Sequence, residues 1–545
     1  MKKYIFIGFL LLSYSCSLLE IDEHTGYDKE EVGKYIERVK ASLNYLYTQL
    51  PDDFTSVGAA PRSCASDDGI SAWETAAIRR MNNGAWTATN EIDSYWEGGY
   101  AAIRASNLFL ESYDKTLLEK YKNEDILVLE NLTKYYVNYP YEARFLRAFF
   151  HFELAKRYGD IPIITKSYVA DSVNTLKKST FNDVVKFIVE ECDSTAKHLP
   201  VSYVALSPAE TGRATKGAAL ALKAKALLFL ASPLHNPGND LQRWKDAAKA
   251  SLDLINLNAY GLIADGFVYN ALASNEMIFE KRFANSNSFE ANNFPMGMEG
   301  GSSGMCPTQN LVDAFGTSTG TAFDWNNPTM AAAPFTKRDS RLAKAITLNG
   351  SVLGTDTIQI YEGGKNGLPL YAASPTGYYL RKYIAANVKL TPASSTTAVH
   401  VWSIFRFAEI LLNYAEAMNE AFPTPTYTDA TFTKSAKTYL DIVRSRAGLP
   451  KNSPSTQASF RDMVRNERRI ELCFEDHRFW DVRRWKIAPE VTNIYGTRIQ
   501  LIDNKIVYTP NQLIETRYWD NKMYLYPIPF SETLKNPNLT QNSGW

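Results

Sequence analysis

The segment that decides the fold is RNERRIELCFEDHRFWDVRRWK, residues 465–486, which is the densest charge cluster in the chain. Its glutamates Glu467, Glu471 and Glu475 recur every four residues, and residues so spaced lie on one face of a helix about 6 Å apart. Close pairs of carboxylates are the acid/base groups of glycoside hydrolases. A catalytic site is therefore the first hypothesis that this segment raises.

The arginines of the same segment argue against that hypothesis. Arg468 and Arg469 stand beside Glu471, and Arg478 follows Glu475 at i+3. Guanidinium groups at this range keep carboxylates ionised, whereas a catalytic acid needs a raised pKa. Bulky apolar residues between the charges provide a surface for docking the helix: Ile470, Phe474, Phe479, Trp480 and Trp485. We expect a locked structural helix whose buried ion pairs fix its packing.

Composition restricts the classes of partner. The chain has 545 residues, 59 basic and 59 acidic side chains, and a formal charge of zero, so no long-range field favours nucleic acid or an anionic membrane. It is 45% hydrophobic and 13% aromatic, and so many aromatic residues suit a globular protein that also presents stacking surfaces. Electrostatics therefore indicates a neutral partner or none.

The N-terminus is typical of an export signal. Lys2 and Lys3 precede the apolar run YIFIGFLLL, which is shorter than the roughly 20 residues that span a membrane. Cys16 follows directly, where a bacterial lipoprotein signal peptidase would cut and a lipid would be attached. We predict a lipoprotein signal peptide over residues 1–15. The alternative is an ordinary signal peptide with an incidental cysteine.

The remaining cysteines and the histidines show no metal or redox pattern. Cys64, Cys192, Cys306 and Cys473 are far apart, with no CxxC pair, so free buried thiols are favoured over a bridge. His151 lacks the second histidine of an HExxH motif. We predict no metal, no cofactor and no metal-dependent hydrolase.

Helical periodicity recurs along most of the chain. Segments such as YEARFLRAFFHFELAKRYGDIP, KGAALALKAKALLFLASP and FRFAEILLNYAEAMNEAF place small residues every three or four positions between aromatic ones. Such spacing lets helices pack closely, as in tetratricopeptide-like helix pairs. Residues 283–403 are instead rich in Gly, Ser, Asn, Thr and Pro, which is typical of long loops with short strands. The prolines of the last twenty residues predict an extended tail over the surface.

Several motifs resemble the SusD/RagB family of surface nutrient-binding lipoproteins, which work beside TonB-dependent outer-membrane transporters. ERRIEL followed by EDHRFWDVRRW is similar to the hallmark segment of that family. Further similar segments occur in the same order: WEGGYAAIRASNLFL, RFLRAFFHFELAKRYGDIP, PFTKRDSRL, GYYLRKY, FRFAEILLNYAEAMNE, VRSRAGLP, and the terminal YPIP with NPNLTQNSGW. The resemblance spans nearly all of the chain after the signal peptide.

The resemblance implies a mainly α fold of tetratricopeptide-like helix pairs with a loop-rich part that carries short strands. It implies a single SusD-like domain over residues 16–545, divided into a helical part (16–282), a loop-rich insert (283–403) and a C-terminal helical part with an extended tail (404–545). It also implies no enzymatic activity. The expected role is capture of an oligo- or polysaccharide at the outer membrane and delivery to a SusC-type transporter, with the lipid on Cys16 as anchor.

Sugar sites combine exposed aromatic faces for stacking with polar side chains for hydrogen bonds. In the resembled family the region before the first long helix and the loops before the RDSRL motif contribute to the site. We therefore predict glycan contacts at Trp86, Asn90, Trp73, Asp67, Asp68, Arg80, Phe294 and Trp325, with Phe323 beside Trp325. Other interpretations stay open: Trp86, Trp73 and Trp96 would equally suit a helical core, and Asp67 with Asp68 would suit calcium or a helix cap.

Two other functional classes remain as alternatives. In one, the helix pairs mainly seat the partner barrel, and the cargo is a peptide or absent. In the other, the chain is a glycoside hydrolase that uses carboxylates such as Glu467 and Glu471.

Overall fold

The computed structural model describes residues 32–121, 126–204, 209–264 and 274–545. The predicted signal peptide and the lipidation site at Cys16 lie outside these residues. Within them, no helix is long and apolar enough to cross a membrane.

Helices make up most of the regular structure, as the sequence predicts. The α-helices of seven residues or more are α1 (Ile36–Thr48), α2 (Trp96–Ser112), α3 (Ile126–Tyr136), α4 (Tyr139–Tyr158), α5 (Phe181–Thr195), α6 (Lys216–Ala231), α7 (Leu241–Ile255), α8 (Phe407–Ala421), α9 (Ala436–Arg446), α10 (Gln457–Glu471) and α11 (Arg478–Arg484). Shorter helices span Arg79–Asn82, Ala170–Val173, Ser288–Asn293, Gln309–Ala314, Pro328–Ala332, Leu342–Ala345 and Phe530–Lys535.

Local sequence explains where the central helices begin and how they are buried. Thr180, Thr215 and Asp240 cap α5, α6 and α7, each accepting a backbone hydrogen bond from the first turn of its helix. The α6 sequence KGAALALKAKALLFLA is apolar nearly all round, and most of its side chains are buried. Such a helix needs neighbours on several sides, and α5 and α7 both pack against it.

The helices form a continuous packed series. α2 packs on α4, α4 on α5, α5 on α6, α6 on α7, α7 on α8, and α8 on both α9 and α10. The contact between α7 and α8 joins helices that the whole loop-rich segment separates in sequence. The prediction of helix pairs spread along the chain is confirmed by this arrangement.

Short antiparallel strands lie mainly in and around the loop-rich segment. They are β1 (Gly69–Ser71), β2 (Met277–Arg282), β3 (Met305–Pro307), β4 (Ile346–Thr347), β5 (Val352–Leu353), β6 (Asp356–Thr357), β7 (Tyr379–Leu380), β8 (Val401–Arg406), β9 (Asn493–Ile502) and β10 (Lys505–Thr516). They pair as β1–β3, β2–β8, β4–β7, β5–β6 and β9–β10. Because Arg282 pairs with Val401, the loop-rich segment leaves and re-enters the helical body through neighbouring strands. Its boundaries as a distinct part stay a prediction.

The charged segment contains two helices rather than one. α10 ends at Glu471 and α11 begins at Arg478, so Glu475 lies in the turn between them. Phe474 and Asp476 adopt left-handed backbone angles, with φ of 62° and 58°. The expectation of one continuous helix was therefore wrong, and no Gly or Pro marks the break.

Candidate functional site

The arginines and carboxylates of α10 and α11 form a buried network with α8. Arg468 contacts Asp481 at 2.7 Å and Asn413 of α8 at 2.6 Å. Arg484 contacts Asp481 at 2.7 Å and Glu416 of α8 at 2.5 Å. Each of these charged groups is nearly inaccessible to solvent. The network therefore fixes α10 and α11 against the helical body.

Glu471 cannot serve as a proton donor in this setting. Burial would raise its pKa, but Arg406, Arg446 and Arg341 together outweigh burial and hold the pKa far below its usual range. Arg406 lies 2.7 Å and Arg341 2.8 Å from its carboxylate. Glu467 is likewise bound to Arg341 at 2.5 Å. The structure favours the ion-pair interpretation of these glutamates over the catalytic one.

Asp67 and Asp68 extend the same network to the other end of the chain. Arg478 binds Asp67 at 2.8 Å, and Arg469 binds Asp68 at 2.6 Å. Burial raises the pKa of both carboxyls, but at Asp67 the two arginines outweigh it, so that pKa is lowered, whereas that of Asp68 stays raised. Neither carboxylate faces solvent, which contradicts an exposed role in sugar binding in this conformation.

Nothing in the described residues suits a calcium ion here. No group of three or more potential metal ligands lies together in them. Arginines bind both carboxylate oxygens of Asp67 and one of the two oxygens of Asp68. The four cysteines Cys64, Cys192, Cys306 and Cys473 carry free, buried thiols, which confirms the sequence prediction.

Trp86 is part of the core and does not present a stacking face. Only 2% of its surface is exposed, and its ring packs edge-on against Tyr526 at 4.7 Å and Trp545 at 4.9 Å between centroids. Both partners come from the C-terminal tail, which folds back over this segment. The expected exposure of Trp86 was wrong because the tail covers it. Trp96 is also buried, against Tyr100 and Tyr158.

Phe294 is likewise buried rather than exposed. It belongs to a separate small core with Ile70 and Cys306, beneath the loop-rich segment. Its loop carries several glycines with positive φ, including Gly297. A Cβ atom at Gly297 would lie 2.0 Å from the carbonyl oxygen of Lys365. Only glycine therefore lets the backbone of this loop come so close to the backbone at Lys365. Phe294 therefore supports the loops instead of facing a ligand.

Arg80 and Asn90 are the predicted polar residues that lie on the surface. The Arg80 guanidinium donates a 3.2 Å hydrogen bond to the Asn90 side-chain oxygen, and Asn90 also donates to the Ala85 carbonyl. The two side chains thus form an exposed pair beside the buried Trp86. The structure brings these two side chains together, but it leaves them without the aromatic face that the sequence analysis expected from Trp86.

Trp73 is half-buried at the end of β1. Its indole N–H donates a 2.7 Å hydrogen bond to the Ser302 carbonyl, and this contact ties it to the 295–304 loop. Glu74 and Thr75 beside it are exposed. Trp73 consequently has one anchored edge and a partly accessible ring.

Trp325 and Phe323 form an aromatic corner on the 317–333 loop. Their ring centroids are 5.1 Å apart and their planes meet at 75°. The Trp325 indole donates to Asp313 at 2.9 Å, and the Arg338 guanidinium lies 4.1 Å from the Phe323 ring centroid. Both rings are half-buried, whereas the residues between and after them, Asp324, Asn326 and Asn327, are exposed. This corner has the fixed rings and adjacent polar groups of a sugar-stacking site.

Asp313 and Arg338 support the corner and were missed from sequence. Arg338 donates to the carbonyls of Val312 and Phe315 at the end of the Gln309–Ala314 helix, and burial lowers its pKa to about 10. Burial raises the pKa of Asp313. The motif PFTKRDSRL, which contains Arg338, was recognised in the sequence. The contact between Arg338 and the Phe323 ring could not be predicted from it.

Trp73 and Trp325 lie on loops from opposite ends of one ribbon. β1 and β3 pair antiparallel, with Ser71 opposite Met305 and Gly69 opposite Pro307. Trp73 follows Ser71, whereas the helix that holds Trp325 follows Pro307. The structure therefore gives two separate partly exposed aromatic positions instead of one cluster.

The motifs and the fold agree with the comparisons with known proteins. The SusD family model matches residues 275–545, and a model described as starch-binding associating with outer membrane matches residues 28–228. The chain belongs to the SusD family. SusD-like protein P2 of Formosa agariphila is 25% identical, over 100% of this chain and 99% of that protein. SusD-like protein P25 of the same species is 22% identical, over 83% of this chain and 79% of that protein.

Solved SusD-like structures share the fold. One from Bacteroides fragilis has a TM-score of 0.76 and 27% identity, covering 96% of this chain and 99% of that one. A SusD-like carbohydrate-binding protein from the same species has a TM-score of 0.76 and 25% identity, covering 93% and 100%. A laminarin-binding SusD-like protein has a TM-score of 0.63 and 20% identity, covering 93% and 99%.

Proposed function

We propose that this SusD-family chain captures an oligo- or polysaccharide and delivers it to a TonB-dependent transporter of the outer membrane. The observation that carries the proposal is the aromatic corner of Phe323 and Trp325, two half-buried rings at 75° on an anchored loop. Relatives described as carbohydrate-binding and laminarin-binding support the ligand class. Trp73, with the exposed pair Arg80 and Asn90, forms a further contact surface in this proposal.

The chain acts in this proposal as a binding protein without catalysis. Support comes from Glu471 and Glu467, which are held in buried arginine pairs, and from the lowered pKa of Glu471, whereas a general acid needs a raised one. Location at the outer membrane is supported by the family model that describes starch-binding proteins associating with it. Anchoring by a lipid on Cys16 and exposure at the cell surface complete the proposal.

Binding is tested by affinity electrophoresis against a polysaccharide panel, followed by calorimetry with the retained glycan. Trp325→Ala removes one stacking face, worth on the order of 1 kcal/mol, so Kd rises about fivefold to tenfold. Tyr45→Ala on α1 is the matched control, since Tyr45 is 54% exposed and far from the corner in sequence. Retained glycan affinity in Trp325→Ala would contradict the assigned corner, and failure of every glycan would favour the peptide-cargo alternative.

Anchoring and delivery need separate measurements. The intact mass of the membrane-extracted protein should equal that of residues 16–545 plus a lipid, and an unmodified Cys16 would contradict the anchor. Affinity purification from detergent-extracted outer membranes should recover a TonB-dependent barrel in stoichiometric amount. Absence of such a barrel under mild extraction would contradict delivery while leaving glycan binding intact.

A further inference from the structure

A second groove lies away from the aromatic corner. It has a volume of about 790 Å³ and is walled by the N-terminal half of α2, the 162–176 loop and the C-terminal residues 531–539. Small-molecule sites usually measure about 300 to 1,000 Å³. The groove is therefore large enough for a ligand of two or three sugar rings.

The walls of this groove are fixed by hydrogen bonds. One face of α2 carries Tyr100, Arg104, Asn107 and Glu111 at helical spacing. Tyr100 donates a hydrogen bond to the Pro162 carbonyl at 3.0 Å, and Asn107 donates to two further carbonyls of the 162–176 loop. Glu111 accepts a hydrogen bond from Ser167 of the same loop at 2.7 Å. Three of these four α2 side chains thus hold the 162–176 loop in place.

The opposite wall is tied down as well. Asn536 donates to the Leu176 carbonyl at 2.8 Å, and Asn538 donates to the Thr175 carbonyl at 2.9 Å. Lys178 reaches the Thr540 carbonyl at 2.7 Å. A ligand that enters the groove would therefore meet a preorganised surface, which lowers the entropic cost of binding.

Arg104 is the fourth of these α2 side chains, and it does not bind the 162–176 loop. It is exposed and lines the groove, and no hydrogen bond or ion pair engages it among the side chains that the structure describes. Lys166, on the loop held by Asn107, is also exposed and lacks an acidic partner among the same side chains. Its ammonium lies 5.1 Å from the Tyr168 ring centroid. Arg104 and Lys166 thus line the groove beside an aromatic ring, and neither has an ion-pair partner among the described side chains.

The groove carries three basic side chains, Arg104, Lys166 and Lys535, against two acidic ones, Glu97 and Glu532. Glu532 pairs with Lys535 at 2.6 Å, and Glu97 adds to the charge that raises the pKa of Lys535. Among the described side chains no ion pair joins Glu97 or Glu532 to Arg104 or Lys166, so these two cations stay available for an anion. Tyr100 and Tyr168 offer ring surface next to these cations, and Asn174 lines the same groove with a polar amide.

We propose that this groove binds an acidic saccharide, with its carboxylate held by Arg104 and Lys166 and a sugar face against Tyr168. The proposal concerns a different surface from the Phe323–Trp325 corner and does not depend on it. A neutral sugar of the same size would leave the two cations without a partner, so the site discriminates by charge.

Calorimetry with digalacturonate and its neutral counterpart galactobiose tests the proposal. Digalacturonate should bind the mature chain, more weakly at high salt, and galactobiose should not bind this site. Arg104→Gln and Lys166→Gln should each raise the Kd by about tenfold or more, because hydrogen bonds to charged groups are strong. Lys186→Gln, which removes an exposed charge on α5, is the matched control and should leave the Kd unchanged.

Three results would overturn the proposal: no binding of digalacturonate at millimolar concentration, equal binding of galactobiose, or an unchanged Kd in both groove variants. Trp73→Ala and Trp325→Ala separate this site from the other surface. If either abolishes digalacturonate binding while the groove variants do not, the acid binds at the aromatic surface and the groove assignment fails. Thermal unfolding of each variant verifies that the fold is retained.

Discussion

Arg468 of α10 and Asp481 of α11 form a buried ion pair, with 2.7 Å between the guanidinium Nε and a carboxylate oxygen. Both side chains are almost inaccessible to solvent. Arg468 also reaches Asn413 of α8, so this single contact joins three helices. Removing one partner of such a pair leaves the other charged and buried, which is strongly destabilising.

Replacing Arg468 with Leu should lower the free energy of unfolding by about 3–5 kcal/mol, because Asp481 loses one of its two guanidinium partners. Urea unfolding followed by circular dichroism measures the change. Arg461→Leu is the control, since Arg461 pairs with Glu420 on a partly exposed face and should cost about 1 kcal/mol or less. Equal losses in the two variants would contradict the structural role assigned to the buried pair.

Acid should destabilise the protein through Glu153. Burial raises the pKa of this carboxyl, but Lys156 and Arg157 outweigh burial and bring the pKa to about 2. Between pH 5 and pH 2 the unfolded chain then takes up a proton that the folded chain does not, so stability falls as pH falls, by about 3 kcal/mol for this group. Urea midpoints across this pH range should show a shallower decline in Glu153→Gln.

Glu74→Gln provides the comparison for the acid experiment, because Glu74 is exposed beside Trp73. Its pH profile should follow that of the parent protein. A Glu153→Gln profile as steep as the parent profile would assign the acid sensitivity to other carboxyls.

Trp86→Ala should affect stability and not affinity. Truncating a fully packed tryptophan costs about 3–5 kcal/mol, whereas Trp86→Phe keeps most of the ring contacts with Tyr526 and Trp545 and costs less. Glycan affinity of the folded Trp86→Phe variant should equal that of the parent. A marked loss of affinity with an unchanged unfolding temperature would instead favour direct ligand contact.

The four buried thiols should be unreactive in the native state. Burial raises the pKa of Cys306 and of Cys473 to about 12, and it also raises the pKa of Cys64 and of Cys192. Thiolate is the reactive form, so a disulfide reagent at pH 8 should modify these cysteines only after unfolding. Rapid modification of any of them without denaturant would show that its surroundings open.

Much of the fold could be predicted from the sequence because it depends on local patterns. Small and aromatic residues at helical spacing correctly indicated α4, α6 and α8, and the glycine-rich composition correctly indicated loops with short strands. The break after Glu471 could not be predicted, since Phe474 and Asp476 adopt positive φ without being glycine. Tertiary ion pairs of Glu475 with Arg406 and Lys382 compensate for that conformation.

The candidate site was harder to predict because exposure is a tertiary property. Trp86 stands in a polar stretch that looks accessible, yet Tyr526 and Trp545 cover it from the far end of the chain. The sequence does not reveal that Asp67 and Asp68 form ion pairs, because their partners Arg478 and Arg469 lie about 400 positions away. Trp325 stays partly exposed, with its indole N–H bound to Asp313.

The contact between Asp67 and Arg478 spans 411 positions of sequence. Any nascent chain that stops before residue 469 lacks both arginines that balance Asp67, and one that stops before residue 526 also lacks the cover of Trp86. Closure of the segment around Asp67 and Trp86 therefore waits for synthesis of the late part of the chain, and contacts of such long range slow folding. On a ribosome-bound chain this segment would stay uncovered until nearly the last residues emerge.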